Sequence, residues 1–284
     1  MTFAIITDSA SDIEPEFERK ENIFIVPTII IFDKEEFRDT EINRNEFLNR
    51  IKSGDIATTS QPSPADIDDK YREALKISES KEILGIHLTS RLSGTFSTVY
   101  SVVNNLETGT IKLFDSLSIS IGSGYFVYLA AFLRNKGYSL DETLNILVKA
   151  RNQIHVEIYI QGVPYLHRSG RISLGQYSLL RLLRLKPILN IVDGLLVQKG
   201  LVFGQSGGSK KLISRILKID KGMNPFIMIG HATNPEFMDI FRKELAVLNP
   251  SQIAEVEICN TLISHTGLGP LGIGIAPSFE SLIQ

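Results

Sequence analysis

Short apolar runs alternate with stretches of helical periodicity through the first half of the chain, the arrangement of βα units around a mostly parallel sheet. The runs at residues 3–7, 23–32, 82–88 and 110–114 predict strands. Helical patterns at 44–52, 64–77 and 95–106 lie between them, each opened by polar or proline residues that suit a helix start. Two further helices are predicted over 118–135 and 140–153, with Gly137 between them as a C-cap. The second half follows another pattern. A strand at 156–160 precedes helical patterns at 174–185, 210–219 and 235–245, and apolar runs at 187–191 and 195–203 flank Asp193-Gly194. Asp-Gly between two such runs is a strong hairpin signal, so this half predicts a mainly antiparallel sheet with helices.

The expected fold is α/β in two domains, 1–153 and 154–284. A chain of 284 residues exceeds the size at which one compact core is usual. No repeat and no low-complexity tract interrupts it.

Composition narrows the functional classes. Apolar residues make up 43% and charged residues 22%, the balance of a soluble globular protein. A net charge of -2 gives no long-range attraction to nucleic acid, so no nucleic-acid partner is expected. Cys259 is the single cysteine, which excludes an internal disulfide and a thiolate metal cluster and fits a reducing cytoplasm. The opening residues MTFAIITDSASDIEPE lack the cationic start and uninterrupted apolar core of a secretion signal. The longest apolar stretch, 125–133, is about half the roughly twenty residues a membrane-spanning helix needs.

Several segments carry candidate chemistry. Thr7-Asp8-Ser9 and Phe114-Asp115-Ser116 each close a predicted strand, where open α/β sheets hold their ligands, yet Asp and Ser also cap the helices that follow. Thr89-Ser90-Arg91-Leu92-Ser93-Gly94-Thr95 puts hydroxyls and a glycine at a helix N-terminus, which favours an anion such as a carboxylate or phosphate. Thr58-Thr59-Ser60-Gln61-Pro62-Ser63-Pro64 reads as a second hydroxyl-rich loop before a helix. Ordinary N-capping is the plainer reading of both.

Gly204-Gln205-Ser206-Gly207-Gly208 matches G-x-S-x-G between a predicted strand and helix, the setting of a nucleophile elbow. Ser93, His265 and Asp8 or Asp115 supply the residue types of a Ser-His-Asp triad. Gly267-Leu268-Gly269-Pro270-Leu271-Gly272 matches a dinucleotide fingerprint, but Pro270 and the few residues after it leave no room for the helix, strand and acidic residue that motif requires. The five histidines show no metal-ligand spacing, and no metal is expected. His265 is read as following an apolar strand and preceding a glycine-rich turn.

TDSASDI, TTSQPSP, LTSRLSGTFST, FDSLSISIG, LHRSGRIS with LKPILNIVDG, and SHTGLGPLGIG occur in one order along essentially the whole chain. In this the sequence resembles the DegV family, which includes the FakB-type fatty-acid-binding proteins. The resemblance implies a two-domain α/β fold enclosing a long-chain fatty acid such as palmitate, with no cofactor. It implies that Thr59, Ser93 and His265 hold the carboxyl group, with Asp8, Ser9, Ser60, Gly94, Thr95, Asp115 and Ser116 supporting the pocket. It further implies a carrier that presents the carboxyl to a separate DhaK-like fatty acid kinase for acyl-phosphate formation, and it is compatible with transient membrane contact. The family commonly places a basic cluster opening with Arg after the second-domain hairpin. Here residues 205–209 precede Lys210-Lys211, so kinase docking is expected to rest on Lys210, Arg168 or Arg171. The alternative function is a serine esterase or thioesterase using Ser206 or Ser93.

Overall fold

The computed structural model describes residues 2–106, 109–170, 172–219 and 224–284. The chain opens with β1 (Phe3–Asp8), α1 (Pro15–Glu21), β2 (Ile23–Val26), β3 (Ile29–Phe32), β4 (Glu35–Arg38), α2 (Arg44–Ser53) and β5 (Ala57–Ser60). It continues through α3 (Pro64–Ile77), β6 (Glu82–His87), α4 (Thr95–Val103), β7 (Thr110–Asp115), α5 (Ile121–Asn135) and α6 (Leu140–Ala150). Then come β8 (His155–Tyr159), α7 (Val163–Arg168), α8 (Leu174–Leu182), β9 (Lys186–Val192), β10 (Leu195–Val202) and α9 (Gly204–Ile216). The last elements are β11 (Phe226–His231), α10 (Glu236–Leu245), β12 (Gln252–Glu257), α11 (Asn260–Thr266) and β13 (Leu271–Ala276).

Two large sheets organise these elements. The first is parallel throughout, in the order β2-β1-β6-β7. The second runs β10-β9-β8-β13-β11-β12 and is antiparallel except where β11 pairs with β12. Side chains alternate faces along a strand, and each sheet is covered on both. From β1, Ala4 and Ile6 pack with Ile67, Tyr71 and Val99 of α3 and α4, while Phe3 and Ile5 join the cluster around α5. From β8, Tyr159 packs with Leu212, Ile216 and Phe241 under α9 and α10, while Val156 and Ile158 face α5. Helix α5 is therefore the shared middle layer: it packs against β1 and β6 on one side and β8, β11 and β13 on the other. Only Phe132 and Asn135 of its residues escape burial.

The apolar run at 23–32 is not one strand. It divides at Pro27-Thr28, where proline has no N–H for the ladder. β2 pairs with β1, and β3 leaves to form a three-stranded sheet with β4 and β5. The hydroxyl-rich segment expected to be a loop accordingly begins as β5, with Thr59 opposite Ile30. The helix expected from Lys210 starts six residues earlier, at Gly204, and takes up the G-x-S-x-G match as its first turns. Glycine and serine hide this helix from a propensity reading, but Gly208 has a packing role. A β-carbon there would lie 2.3 Å from the ring of Tyr159, so the helix can approach the sheet only without one.

A buried polar chain locks α3 to the parallel sheet. His87 Nε2 lies 2.8 Å from the Tyr71 hydroxyl, and its Nδ1 lies 3.1 Å from Asp8 Oδ2, which also accepts from the Leu88 N–H. The β9–β10 turn has Asp193 and Gly194 at φ of 48° and 78°, as a two-residue hairpin of the favoured twist requires. Its tip docks on the other half of the molecule, where Thr89 Oγ1 donates to the Gly194 carbonyl at 3.1 Å. A β-carbon at Gly194 would stand 2.3 Å from that hydroxyl oxygen. Gly194→Ala should therefore lower unfolding free energy by roughly 1–2 kcal/mol, read as an earlier urea midpoint. An unchanged midpoint would show that neither the turn nor its docking constrains the residue.

Candidate functional site

The halves meet around a cavity of about 330 Å³, at the lower end of the ordinary range for small-molecule sites. Its apolar wall comes from both: Leu88, Leu92 and Ile119 from the first, Leu166 of α7, Leu196 of β10 and Leu262 of α11 from the second. Its polar wall is made of hydroxyls, an amide and an imidazole. Thr59 and Ser60 reach it from the end of β5, Gln61 from the residue after, Ser93 and Gly94 from the turn before α4, and Thr261, His265 and Thr266 from α11.

These polar groups form one contiguous patch. Thr59 Oγ1 and His265 Nε2 are 2.8 Å apart, joining β5 to α11 across the two halves. Thr261 stands one helical turn before His265 on the same face, and its Oγ1 is 2.6 Å from Thr28 Oγ1, which also lines the cavity. Gln61 packs against Gly94, beside Ser93. The Ser93 hydroxyl accepts from the Thr95 N–H at 3.2 Å and lies 2.9 Å from Thr95 Oγ1. It thus takes up the N–H of the first residue of α4, one place before the Gly94 cap, and lines the cavity at once.

Of the residues singled out from sequence, Thr59, Ser60, Ser93, Gly94 and His265 line this cavity. Thr95 and Ser9 stand one hydrogen bond behind it, Thr95 on Ser93 and Ser9 on Thr28 at 2.7 Å. Asp8, Asp115 and Ser116 lie elsewhere. Asp8 caps the turn after β1 and holds His87; Asp115 accepts from the N–H groups of Ser90 and Leu117; the Ser116 hydroxyl accepts from the Ser118 N–H. For these three the capping and turn reading applies. His265 is on a helix, not after a strand. Asp8 and Asp115 are engaged by other groups, and Thr59 lies on His265 Nε2. Ser206 lies exposed in the first turn of α9 rather than on a strand-to-helix elbow. Arg168 is exposed with its guanidinium 4.6 Å from the Tyr165 ring centre, Lys210 is exposed on α9, and Arg171 lies outside the described residues.

Thr28, Gln61, Thr261 and the apolar lining were not singled out in advance. Gln61 sits inside the TTSQPSP segment and could have been, whereas the two threonines are isolated hydroxyls among apolar neighbours. Among the described residues no group of three or more His, Cys, Asp or Glu is placed to hold a metal ion, and no helix is long and apolar enough to cross a membrane.

Two carboxylates anchor α11. Asp12 Oδ1 accepts from the Cys259 N–H at 2.9 Å and its other oxygen from the Ser120 hydroxyl. Asp39 Oδ2 accepts from the Thr261 N–H at 3.3 Å. Burial pushes the Asp12 carboxyl from an ordinary 3.8 up to about 6, against the hydrogen bonds of Ser120 and Cys259 that draw it down.

The whole chain has known relatives. A family described as uncharacterised proteins of the DegV family matches residues 2–278. A DegV domain-containing protein of Staphylococcus aureus is 29% identical over 272 residues, spanning 95% of this chain and 96% of that protein. Among solved structures, a DegV family protein from Thermus thermophilus described as binding fatty acid superposes with a TM-score of 0.88 at 26% identity, covering 98% of this chain and 100% of that one. DegV of Bacillus subtilis, described as a fatty-acid-binding protein, superposes at 0.85 with the same identity and coverage.

The raised Asp12 carboxyl makes a signed prediction. A carboxyl that binds its proton more tightly when folded contributes stability below the unfolded value near pH 4 and loses it as pH rises through about 6. Asp12→Asn removes this dependence, so the stability of the variant relative to the parent should rise between those limits by on the order of 2 kcal/mol. Urea unfolding of both proteins at a series of pH values checks the sign, and a relative stability that falls instead would refute it.

Proposed function

Because the chain belongs to the DegV family, we propose that it is a cytoplasmic carrier that encloses a long-chain fatty acid such as palmitate between its two halves. The observation that carries the reading is the composition of the cavity. An apolar wall supplied by both halves ends on a polar patch of Thr59, Ser93 and His265. Burying an acyl chain of about sixteen carbons contributes on the order of 10 kcal/mol before the costs of association. The patch therefore needs only to orient the head group and satisfy its oxygens, which an unpartnered buried carboxylate would make costly. The fatty-acid binding described for the Thermus and Bacillus proteins supports the same ligand class.

The chain acts with a separate DhaK-like fatty acid kinase, to which it presents the carboxyl for acyl-phosphate formation, and performs no chemistry alone. Nothing in the sequence matches the phosphate-cradling loop of an ATP site. Exposed Arg168 and Lys210 are available for docking an acidic partner surface. Transient membrane contact fits α8, which packs on α7 beside the cavity and exposes Leu174, Leu179 and Leu182 together with Arg181.

Ser93→Ala and Thr59→Ala should each weaken palmitate binding by roughly 1–3 kcal/mol in a calorimetric titration, the usual result of leaving a buried polar group unpaired. Ser206→Ala should leave binding unchanged, and a fluorophosphonate probe should label neither Ser206 nor Ser93. Loss of an ester-cleaving activity in Ser206→Ala would replace the carrier reading with hydrolysis. With kinase, ATP and magnesium, bound acid should become acyl phosphate; acid that loads but is never phosphorylated would remove the kinase partnership.

A further inference from the structure

Behind the polar wall of the cavity lies a carboxyl that the proposed binding does not use. Asp39 is 93% buried, in the connection between β4 and α2. Its Oδ2 accepts the Thr261 N–H at 3.3 Å and the Thr28 hydroxyl at 3.5 Å. Thr28 Oγ1 in turn lies 2.6 Å from Thr261 Oγ1 and 2.7 Å from Ser9 Oγ. Ser9 accepts the Thr28 N–H at 3.1 Å, which leaves its own proton for Thr28 or for Asp39, whose carboxyl it helps draw downward.

Counting donors fixes the direction of this chain. Each hydroxyl has one proton, and an ionised carboxylate can only accept. While Asp39 is ionised, Thr28 donates to it, and the Ser9 and Thr261 hydroxyl protons turn toward Thr28 or the carboxylate. The Thr261 hydroxyl also helps draw the Asp39 carboxyl downward against its burial. Whether Thr261 spends its proton on Thr28 or on Asp39, that proton points inward. Thr261 then shows the cavity only lone pairs, which repel a carboxylate and accept from a carboxylic acid. A proton placed on Asp39 reverses the chain: Asp39 donates to Thr28, Thr28 to Thr261, and Thr261 into the cavity.

Resting on the fatty-acid reading above, we infer that Asp39 is a positioning residue that links head-group binding to the uptake of one proton through Thr28 and Thr261. The proton comes from solvent and resides on Asp39 or on the bound acid; no covalent bond is made or broken. The other ionisable groups facing Asp39 are Asp8, Asp12, Arg44, Glu257 and Cys259 around the shallow depression on its far side, and His265 faces the cavity. Three acids against one arginine there keep a second negative charge near Asp39 unfavourable, and burial alone already raises its carboxyl.

The test is calorimetry of myristate binding at about pH 8 in buffers of different ionisation enthalpy, with the acid kept below the concentration at which it aggregates. The slope of observed enthalpy against buffer enthalpy counts protons taken up. The wild-type chain should take up about one proton per myristate, since the free acid is ionised at that pH. In Asp39→Asn the amide can donate to Thr28 without titrating, so uptake should fall below about half of the wild-type value with the stoichiometry of myristate unchanged. Thr261→Val, which removes the terminal hydroxyl and keeps the side-chain shape, should weaken myristate binding and likewise bring uptake below about half, and decides the matter if Asp39→Asn does not fold. Wild-type binding without proton uptake overturns the inference and leaves the carrier intact. Full uptake in the variants also overturns it and moves the proton to His265. No binding of myristate or palmitate by the wild-type chain removes the fatty-acid reading itself.

Discussion

The structure depends on burying α5 on all sides. A helix with nearly every side chain out of water must have a partner on each face, and here one partner is the parallel sheet and the other the mainly antiparallel sheet. Neither half can satisfy the helix alone. Its C-terminal end confirms how deep it sits: Arg134 is buried and donates to the carbonyl and carboxylate of Glu21 on α1. Because α5 holds the two sheets at a set separation, the seam beside it has a set width. The cavity is a part of that seam that side chains do not fill.

What turns this gap into a selective site is the second bridge between the halves, through α11. Its start is held by the buried carboxylates of Asp12 and Asp39, and its face meets β5 and Thr28 through hydroxyl and imidazole contacts. Thr59, Ser93, Thr261, His265 and Thr266 therefore meet the cavity already held by partners behind them. Among the described residues no arginine or lysine lines the cavity. On the fatty-acid reading proposed above, the hydroxyls and imidazole orient the carboxyl group and affinity rests on the apolar chain.

The parts of this arrangement legible in sequence are those whose signals are local. β1, β6, β7, α2, α3 and the β9–β10 hairpin follow from apolar runs, caps and turn residues within their own segments. β5 was hidden because Ala57-Thr58-Thr59-Ser60 has no apolar alternation; it is a strand only because β3 lies beside it. α11 was hidden because it is short, rich in threonine and serine, and ends on glycine. The site was visible as hydroxyl-rich segments in a family order, but which hydroxyls meet was not. Thr59 and His265 are 206 residues apart, and Thr28 and Thr261 are 233 apart. Nothing local marks Thr28 or Thr261 as a pair, and only the packing of the halves around α5 brings them together.

Native mass spectrometry of the purified chain tests the central claim most directly. An acid enclosed between the halves should survive purification and appear as one long-chain fatty acid per chain, released when the protein is denatured. A bare chain that stays bare after incubation with saturated and unsaturated long-chain acids would contradict the account.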